Sequence, residues 1–320
     1  MAARGTGPHA RVSLSAVIIS VDGTTPRLIT VHDRQPDAEA LPTGHLDDRL
    51  DRTLEQAVRR LVRRELGLPV RYFEQLYTFG DRDRVPGGRS IAVAYLALAR
   101  HQAVHGPGGP QWRDCYQLFP WEDWRPGRPE VLDRLVVPAL RRWLARAPAP
   151  ELPTRTERAE LTFGIGPALW DPVRVLDRYE LLYELGLLAE STCSTPAQAA
   201  APSAATPTTL GLPLAFDHRR VAAAALERLR GKLAYRPVVF EVLPETFTLS
   251  TLQQVVEALA GQVLHKQNFR RLVATANLVE PTGETDLRTG GRPAELYRFR
   301  REVLRERPAP GLGLRRLGGP

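Results

Sequence analysis

Between Thr248 and Phe299 the chain reads TLSTLQQVVEALAGQVLHKQNFRRLVATANLVEPTGETDLRTGGRPAELYRF. The order is a helical period, a glycine, a second helical period and a glycine-rich turn. Leu252, Val255, Val256 and Leu259 recur at helical spacing, so the first helix has one apolar face. Ser250, with Gln253 three residues on, predicts a capping box at its start. Gly261 then breaks the helix, as the turn of a helix-turn-helix requires. In the second helix Phe269, Leu272, Val273 and Ala276 point inward. Gln267, Arg270, Arg271 and Ala274 share the opposite face, with Lys266 and Asn268 on its shoulder. Gly290-Gly291-Arg292-Pro293 then predicts a hairpin. Such side chains reach base edges and phosphates from a helix in the major groove. A solvated helix with an ordinary basic face is the competing reading, but it accounts for neither the preceding helix nor the hairpin. The segment reads as a winged helix-turn-helix. Its expected DNA contacts are Lys266, Gln267, Asn268, Arg270 and Arg271, with Arg288 and Arg292 on the wing.

The rest of the chain is long enough for more than this unit. A length of 320 residues suggests about two domains, at roughly 100–200 residues each. A net charge of +8 and an isoelectric point near 10.0 favour an anionic partner. Cys115 and Cys193 lie far apart and suggest neither a disulfide framework nor a zinc site, which fits a reducing compartment. No apolar run approaches the roughly 18 residues of a membrane span. The short apolar stretch after Arg11 reads as a first strand rather than a signal peptide, so the expectation is a cytoplasmic protein with no membrane partner. The histidines show no metal-ligand spacing. Asp217-His218 reads as a helix cap, and Trp112, Trp121 and Trp124 as packing anchors.

Strands are expected at Leu14–Val21, Arg27–His32, Tyr72–Phe79 and Ile91–Ala99, and a helix at Arg52–Leu66 ending on Gly67. Further helices are expected near Glu130–Ala145, Asp171–Leu187 and Arg219–Leu233, with an irregular loop over Gln111–Pro129. Ser191–Leu210 is almost wholly Ser, Thr, Ala, Pro and Gln, a composition that cannot bury a core. The expected division is a sensor domain over 10–150, a helical insertion over 151–190 and a flexible linker over 191–211. A connecting helix over 212–234 and the winged helix over 235–305 complete it.

The stretch Pro42–Leu68, PTGHLDDRLDRTLEQAVRRLVRRELGL, resembles the Nudix box. In that family a Gly and a Glu precede Arg-Glu-U-x-Glu-Glu-x-Gly-U, where U is apolar, on a loop–helix–loop. Setting Gly67-Leu68 on the end of the motif places Arg60 on its arginine and Val62 on its apolar position. The three glutamates that would hold magnesium fall on Leu61, Arg64 and Glu65. Nudix hydrolysis needs several carboxylates on one helical face to hold divalent cations that bridge a diphosphate and activate water. Leu61 cannot ligate, and Arg64 puts a positive charge where the cation belongs. Arg64 could instead meet a diphosphate directly.

A degenerate Nudix domain joined to a winged helix resembles the NrtR-type regulators of NAD metabolism and the neighbouring NadQ-like group. The likeness is carried by Glu74-Gln-Leu-Tyr-Thr-Phe-Gly-Asp81, Phe119-Pro-Trp-Glu-Asp-Trp124 and, more weakly, Asp177-Arg-Tyr-Glu-Leu-Leu-Tyr-Glu184. Later markers are Phe216-Asp-His218, Leu226-Glu-Arg-Leu-Arg-Gly-Lys232, Phe247-Thr-Leu249, Asn268-Phe-Arg-Arg271 and Gly291-Arg-Pro293. The resemblance implies an α/β (α+β) chain: a Nudix-like mixed-sheet sandwich followed by a C-terminal winged helix-turn-helix domain. It implies a DNA-binding repressor of NAD biosynthesis or salvage genes, acting as a homodimer on double-stranded operator DNA. No catalytic residue, metal or required cofactor is expected. The implied effector is ADP-ribose, NAD or ATP, with Arg60, Arg64, Glu65, Tyr77 and Arg82 as its expected contacts. The alternative is an active magnesium-dependent Nudix pyrophosphohydrolase whose winged helix serves only dimerisation.

Overall fold

The structure is a computed structural model that describes residues 11–34, 37–47, 49–82, 84–85, 89–191, 210–286, 293–307 and 310–312. Its first unit is a mixed sheet. β1 (Arg11–Asp22) turns through Gly23, at φ +59°, into β2 (Thr25–Arg34), followed by β3 (Asp37–Ala40) and β4 (Thr43–His45). Helix α1 (Leu54–Leu66) comes next, then β5 (Tyr72–Phe79), β6 (Ser90–Leu98) and β7 (Gln111–Asp114). The strand order is β3-β2-β1-β6-β5, with β4 on β1 and β7 on β2. β1 and β6 run parallel from Arg11↔Ser90 to Ile19↔Leu98, and the remaining pairings are antiparallel.

Both faces of β1 are covered, so its buried positions run without a polar face. Leu14, Ala16 and Ile18 join the apolar side of α1, where Ala57, Val58, Val62 and Leu66 are buried. Val17, Ile19 and Val21 face the other way, into a core shared with the C-terminal helices. The Thr53 hydroxyl accepts from the Gln56 amide at 3.1 Å to start α1, and Gly67, at φ +62°, closes it.

Gln111–Pro129 is less irregular than its composition suggests. It opens with β7 and a short helix α2 (Cys115–Leu118), capped by Asp114 through the Tyr116 amide at 2.8 Å. A four-residue edge strand is too short for its alternation to register in sequence. After a π-helical turn at Leu132–Val136 come α3 (Val137–Ala145), α4 (Leu152–Phe163) and α5 (Val175–Glu184). Of the expected linker, residues 192–209 lie outside the described residues. Leu210 is buried, and Leu212 donates to the Gln117 carbonyl at 2.8 Å, so the chain is docked before α6 (His218–Leu233) begins.

The remaining elements are β8 (Thr246–Phe247), α7 (Leu249–Ala260), α8 (Lys266–Ala276), β9 (Val279–Asp286), β10 (Ala294–Phe299) and α9 (Val303–Glu306). β8, β10 and β9 form a three-stranded sheet. α7 packs on β1 and β2, and α6 on β1, β5 and β6. One apolar cluster therefore runs unbroken from Val17 through α5 and α6 to Val256 and Phe269. The C-terminal unit is built onto the sheet rather than tethered to it.

Candidate nucleic-acid interface and effector face

The helix-turn-helix is fixed by its own side chains. Leu252, Val255, Val256 and Leu259 are all buried, as their spacing predicts. The cap differs from the sequence expectation: the hydroxyl of Thr248, not Ser250, accepts from the Thr251 amide at 3.1 Å. Gln253 turns away to the Glu257 carboxylate at 2.9 Å and the Leu264 carbonyl at 2.8 Å. Glu257 also accepts from the Leu264 amide at 2.8 Å, so these two side chains pin the turn that follows Gly261. Tertiary partners for Gln253 outcompete a local box.

α8 buries Phe269 and Val273, and half-buries Leu272 and Ala276. Lys266, Gln267, Asn268, Arg270, Arg271 and Ala274 are exposed. The Arg271 guanidinium reaches the Asn268 carbonyl oxygen at 3.4 Å, leaving both side chains at the surface. Asn277, at φ +50°, ends the helix with its amide on the Val273 and Ala274 carbonyls. The wing residues Arg288 and Arg292, with the Gly290-Gly291 hairpin, lie outside the described residues. Beyond them β10 pairs with β9, as a wing requires.

The residues expected to contact an effector lie on different elements. Arg60 grips Asp51 with both nitrogens, at 2.8 and 2.5 Å, and this hydrogen bonding holds the Asp51 carboxyl down to about 2. Arg64 pairs with its neighbour Glu65 at 2.7 Å. Tyr77 lies across the sheet from them, under the Arg228 guanidinium of α6 at 5.5 Å, and Arg82 is exposed. The structure thus groups Arg60, Arg64 and Glu65 on α1 and sets Tyr77 on the other face of the sheet, against α6. A two-faced sheet separates residues that a linear motif cannot.

The divalent cation that a Nudix box implies does not fit the residues here. Leu61 is buried against Gly44, where an added Cβ would stand 2.9 Å from its Cδ1. Glu65 is taken by Arg64, Asp51 by Arg60, and Glu55 by Arg59 at 2.8 Å. Among the described residues no three His, Cys, Asp or Glu side chains gather as a metal site.

Sequence reasoning missed the buried charges that join the units. Arg84 holds Asp217 at 2.7 and 3.0 Å, and the His218 Nδ1 accepts from the Leu41 amide at 3.0 Å. Asp217-His218 therefore does not cap α6, where no side-chain cap bond forms, but ties its start to the first sheet. Glu122 is fully buried between Arg178 and Arg230, each at 2.5 Å. A carboxylate inside the apolar run Phe119-Pro-Trp-Glu-Asp-Trp124 was the available signal. The tryptophans of that run pack: Trp121 is fully buried, and Trp124 lies 4.5 Å from Trp170.

Residues 10–136 match the NUDIX domain and residues 239–299 the NrtR DNA-binding winged helix domain. Over 90 residues the chain is 40% identical to the ADPR responsive transcriptional repressor NtrR of Acinetobacter baylyi. That stretch is 28% of this chain and spans 36% of the relative's length. The fold resembles Shewanella oneidensis NrtR complexed with a 27mer DNA, with a TM-score of 0.57 at 23% identity over 91% of this chain and 94% of that one. It also resembles a MutT/nudix family protein from Enterococcus faecalis, with a TM-score of 0.55 at 16% identity over 93% and 90% of the two chains. No described helix is long and apolar enough to cross a membrane. The chain therefore carries a mixed α/β Nudix-like sheet followed by a C-terminal winged helix domain, a fold it shares with Shewanella oneidensis NrtR.

Proposed function

We propose that this protein is a DNA-binding transcriptional repressor of NAD biosynthesis or salvage genes, acting in the cytoplasm as a homodimer. The observation that carries this reading is the exposed face of α8. Lys266, Gln267, Asn268, Arg270 and Arg271 stand free of the core in a domain that matches an NrtR DNA-binding domain. Dyad symmetry sets two such helices in successive major grooves of an imperfect palindrome. Arg288 and Arg292 supply the wing contacts.

The NUDIX domain is the sensor, and ADP-ribose is its effector. The name of the Acinetobacter baylyi relative supports that choice among ADP-ribose, NAD and ATP. Arg60, Arg64 and Glu65 form the α1 part of the effector face, and Leu61 and Arg64 in place of metal-binding glutamates support a domain that binds nucleotides without cutting them. Effector binding shifts DNA affinity only through its different affinity for the two conformations.

The test is a gel-shift titration on sites selected from random duplex DNA, with and without ADP-ribose, NAD and ATP. The expected result is sequence-specific binding weakened by ADP-ribose. Indifference to all three nucleotides overturns the sensor, and magnesium-dependent turnover of ADP-ribose overturns the loss of catalysis.

A further inference from the structure

We propose that Arg230, held by Glu122, is a positioning residue: it locks the winged helix against the NUDIX domain and so sets the attitude in which α8 meets DNA. This deepens the DNA-reading role above and rests on it only for its consequence.

The C-terminal end of α7 presents buried carbonyls at the junction of the two units. A helix leaves its last carbonyls without partners, and burial makes them costly unless a donor arrives. Here the donors come from outside the winged helix. The Tyr116 hydroxyl of α2 donates to the Ala258 carbonyl at 2.7 Å. The Arg230 Nε of α6 donates to the Leu259 carbonyl at 3.1 Å. The Trp124 amide donates to the Gly261 carbonyl at 2.8 Å. Three separate segments thus cap one helix end, five residues before α8 begins.

Arg230 is the centre of this clamp. Besides Leu259, its Nη1 reaches the Glu122 carboxylate at 2.5 Å and the Pro172 carbonyl at 2.9 Å. Its Nη2 reaches the Tyr116 hydroxyl at 3.3 Å and the Glu122 carbonyl at 3.2 Å. A guanidinium has five N–H donors in a rigid fork, and here each has an acceptor. Glu122 is held in turn by Arg178, at 2.5 and 3.0 Å, and Arg178 lies 3.9 Å over the Trp170 ring. Gly261 seals the contact. A Cβ there would meet the Glu122 carbonyl at 2.4 Å, the Arg230 Nη2 at 2.6 Å and the Tyr116 hydroxyl at 2.9 Å. No side chain fits between the turn and the clamp, so the turn cannot move without breaking it.

The experiment measures interdomain geometry in the full chain, with DNA affinity as a second readout. Spin labels are placed at exposed Arg141 on α3 and Thr275 on α8, in a Cys193→Ser background that keeps buried Cys115. Electron–electron double resonance then gives the distance distribution between them. With labelled chain diluted into excess unlabelled chain, so that only distances within one protomer are read, one narrow distribution is expected for the parent, and a broadened or shifted one for Arg230→Lys, which keeps the charge and loses the fork. Tyr116→Phe removes one hydroxyl and leaves the ion cluster intact, and it decides the matter if Arg230→Lys does not fold. Arg271→Ala is expected to lose DNA affinity with the distribution unchanged, whereas the clamp variants change both. A role confined to stability lowers the melting temperature and leaves the distribution as in the parent, and that result in folded variants overturns the proposal. If the parent binds no selected DNA while the distribution responds, the repressor reading fails and the clamp stands.

Discussion

Arg84 and Asp217, 133 residues apart, form a two-pronged ion pair at 2.7 and 3.0 Å, which ties the loop before β6 to the start of α6. Arg84 is almost wholly buried and Asp217 nearly so. Breaking one side of a buried pair strands the other charge, at a cost of about 3–5 kcal/mol. Asp217→Ala is expected to show that loss in urea unfolding. The double variant Arg84→Met with Asp217→Ala is expected to recover part of it, because no charge is then left buried. A double variant no more stable than Asp217→Ala alone contradicts this account.

His218 makes the same junction sensitive to acid. Burial pushes its imidazole from the ordinary 6.5 down to about 4, and its Nδ1 accepts a hydrogen bond that a protonated ring cannot. The unfolded chain therefore binds a proton between pH 6.5 and 4 that the folded one refuses. Stability from this group is complete above pH 6.5 and is lost as the pH falls towards 4, by about 3 kcal/mol. In urea midpoints taken across that window, the parent should fall more steeply than His218→Gln. Parallel slopes would show that the ring does not titrate on unfolding.

Gly261→Ala and Gly23→Ala separate backbone strain from contact. Both glycines have positive φ, at +72° and +59°, where an L residue costs roughly 1–2 kcal/mol. An added Cβ at Gly23 meets nothing within 4 Å, whereas at Gly261 it strikes the Glu122 carbonyl and Arg230. Overpacking adds roughly 1–3 kcal/mol. Thermal melts should rank Gly261→Ala clearly below Gly23→Ala, and equal losses would remove the contact from the explanation.

On selected DNA, Arg271→Ala is expected to cost about 1–3 kcal/mol at the preferred site and to relax its sequence preference. Lys266→Ala should weaken binding across sequences and lower the salt slope by about one, through loss of a phosphate contact. Undiminished binding by both Arg270→Ala and Arg271→Ala would sink the assignment of α8 as the reading helix.

Local pattern carried much of the fold. α1, α7 and α8 bury the residues their periodicity picks out, because a helix turns its apolar side chains to one face wherever it packs. β1 and β6 were legible as strands from their apolar runs, and Gly67 and Gly261 as helix ends. β7 and α2 were not, since four-residue elements hold too few periods to show one. On α1, Leu61 and Arg64 announced the loss of carboxylates, but Tyr77, proposed with Arg60 as an effector contact, shares no face with it. The bulge in β5 between Gln75 and Thr78 shifts its register there, and no spacing rule anticipates that shift.

By itself the sequence determined that a winged helix-turn-helix follows a Nudix-like domain without its full metal box, and which side chains of α8 point away from its core. These properties are settled by residues within one element, where the period of the backbone decides the face. Only the tertiary structure decided how the two units are joined. Glu122 meets Arg230 across 108 residues and Arg178 across 56. Such partners are chosen by the folding of the sheet against α6 and α7, and a buried charge accepts whichever partner the packing delivers.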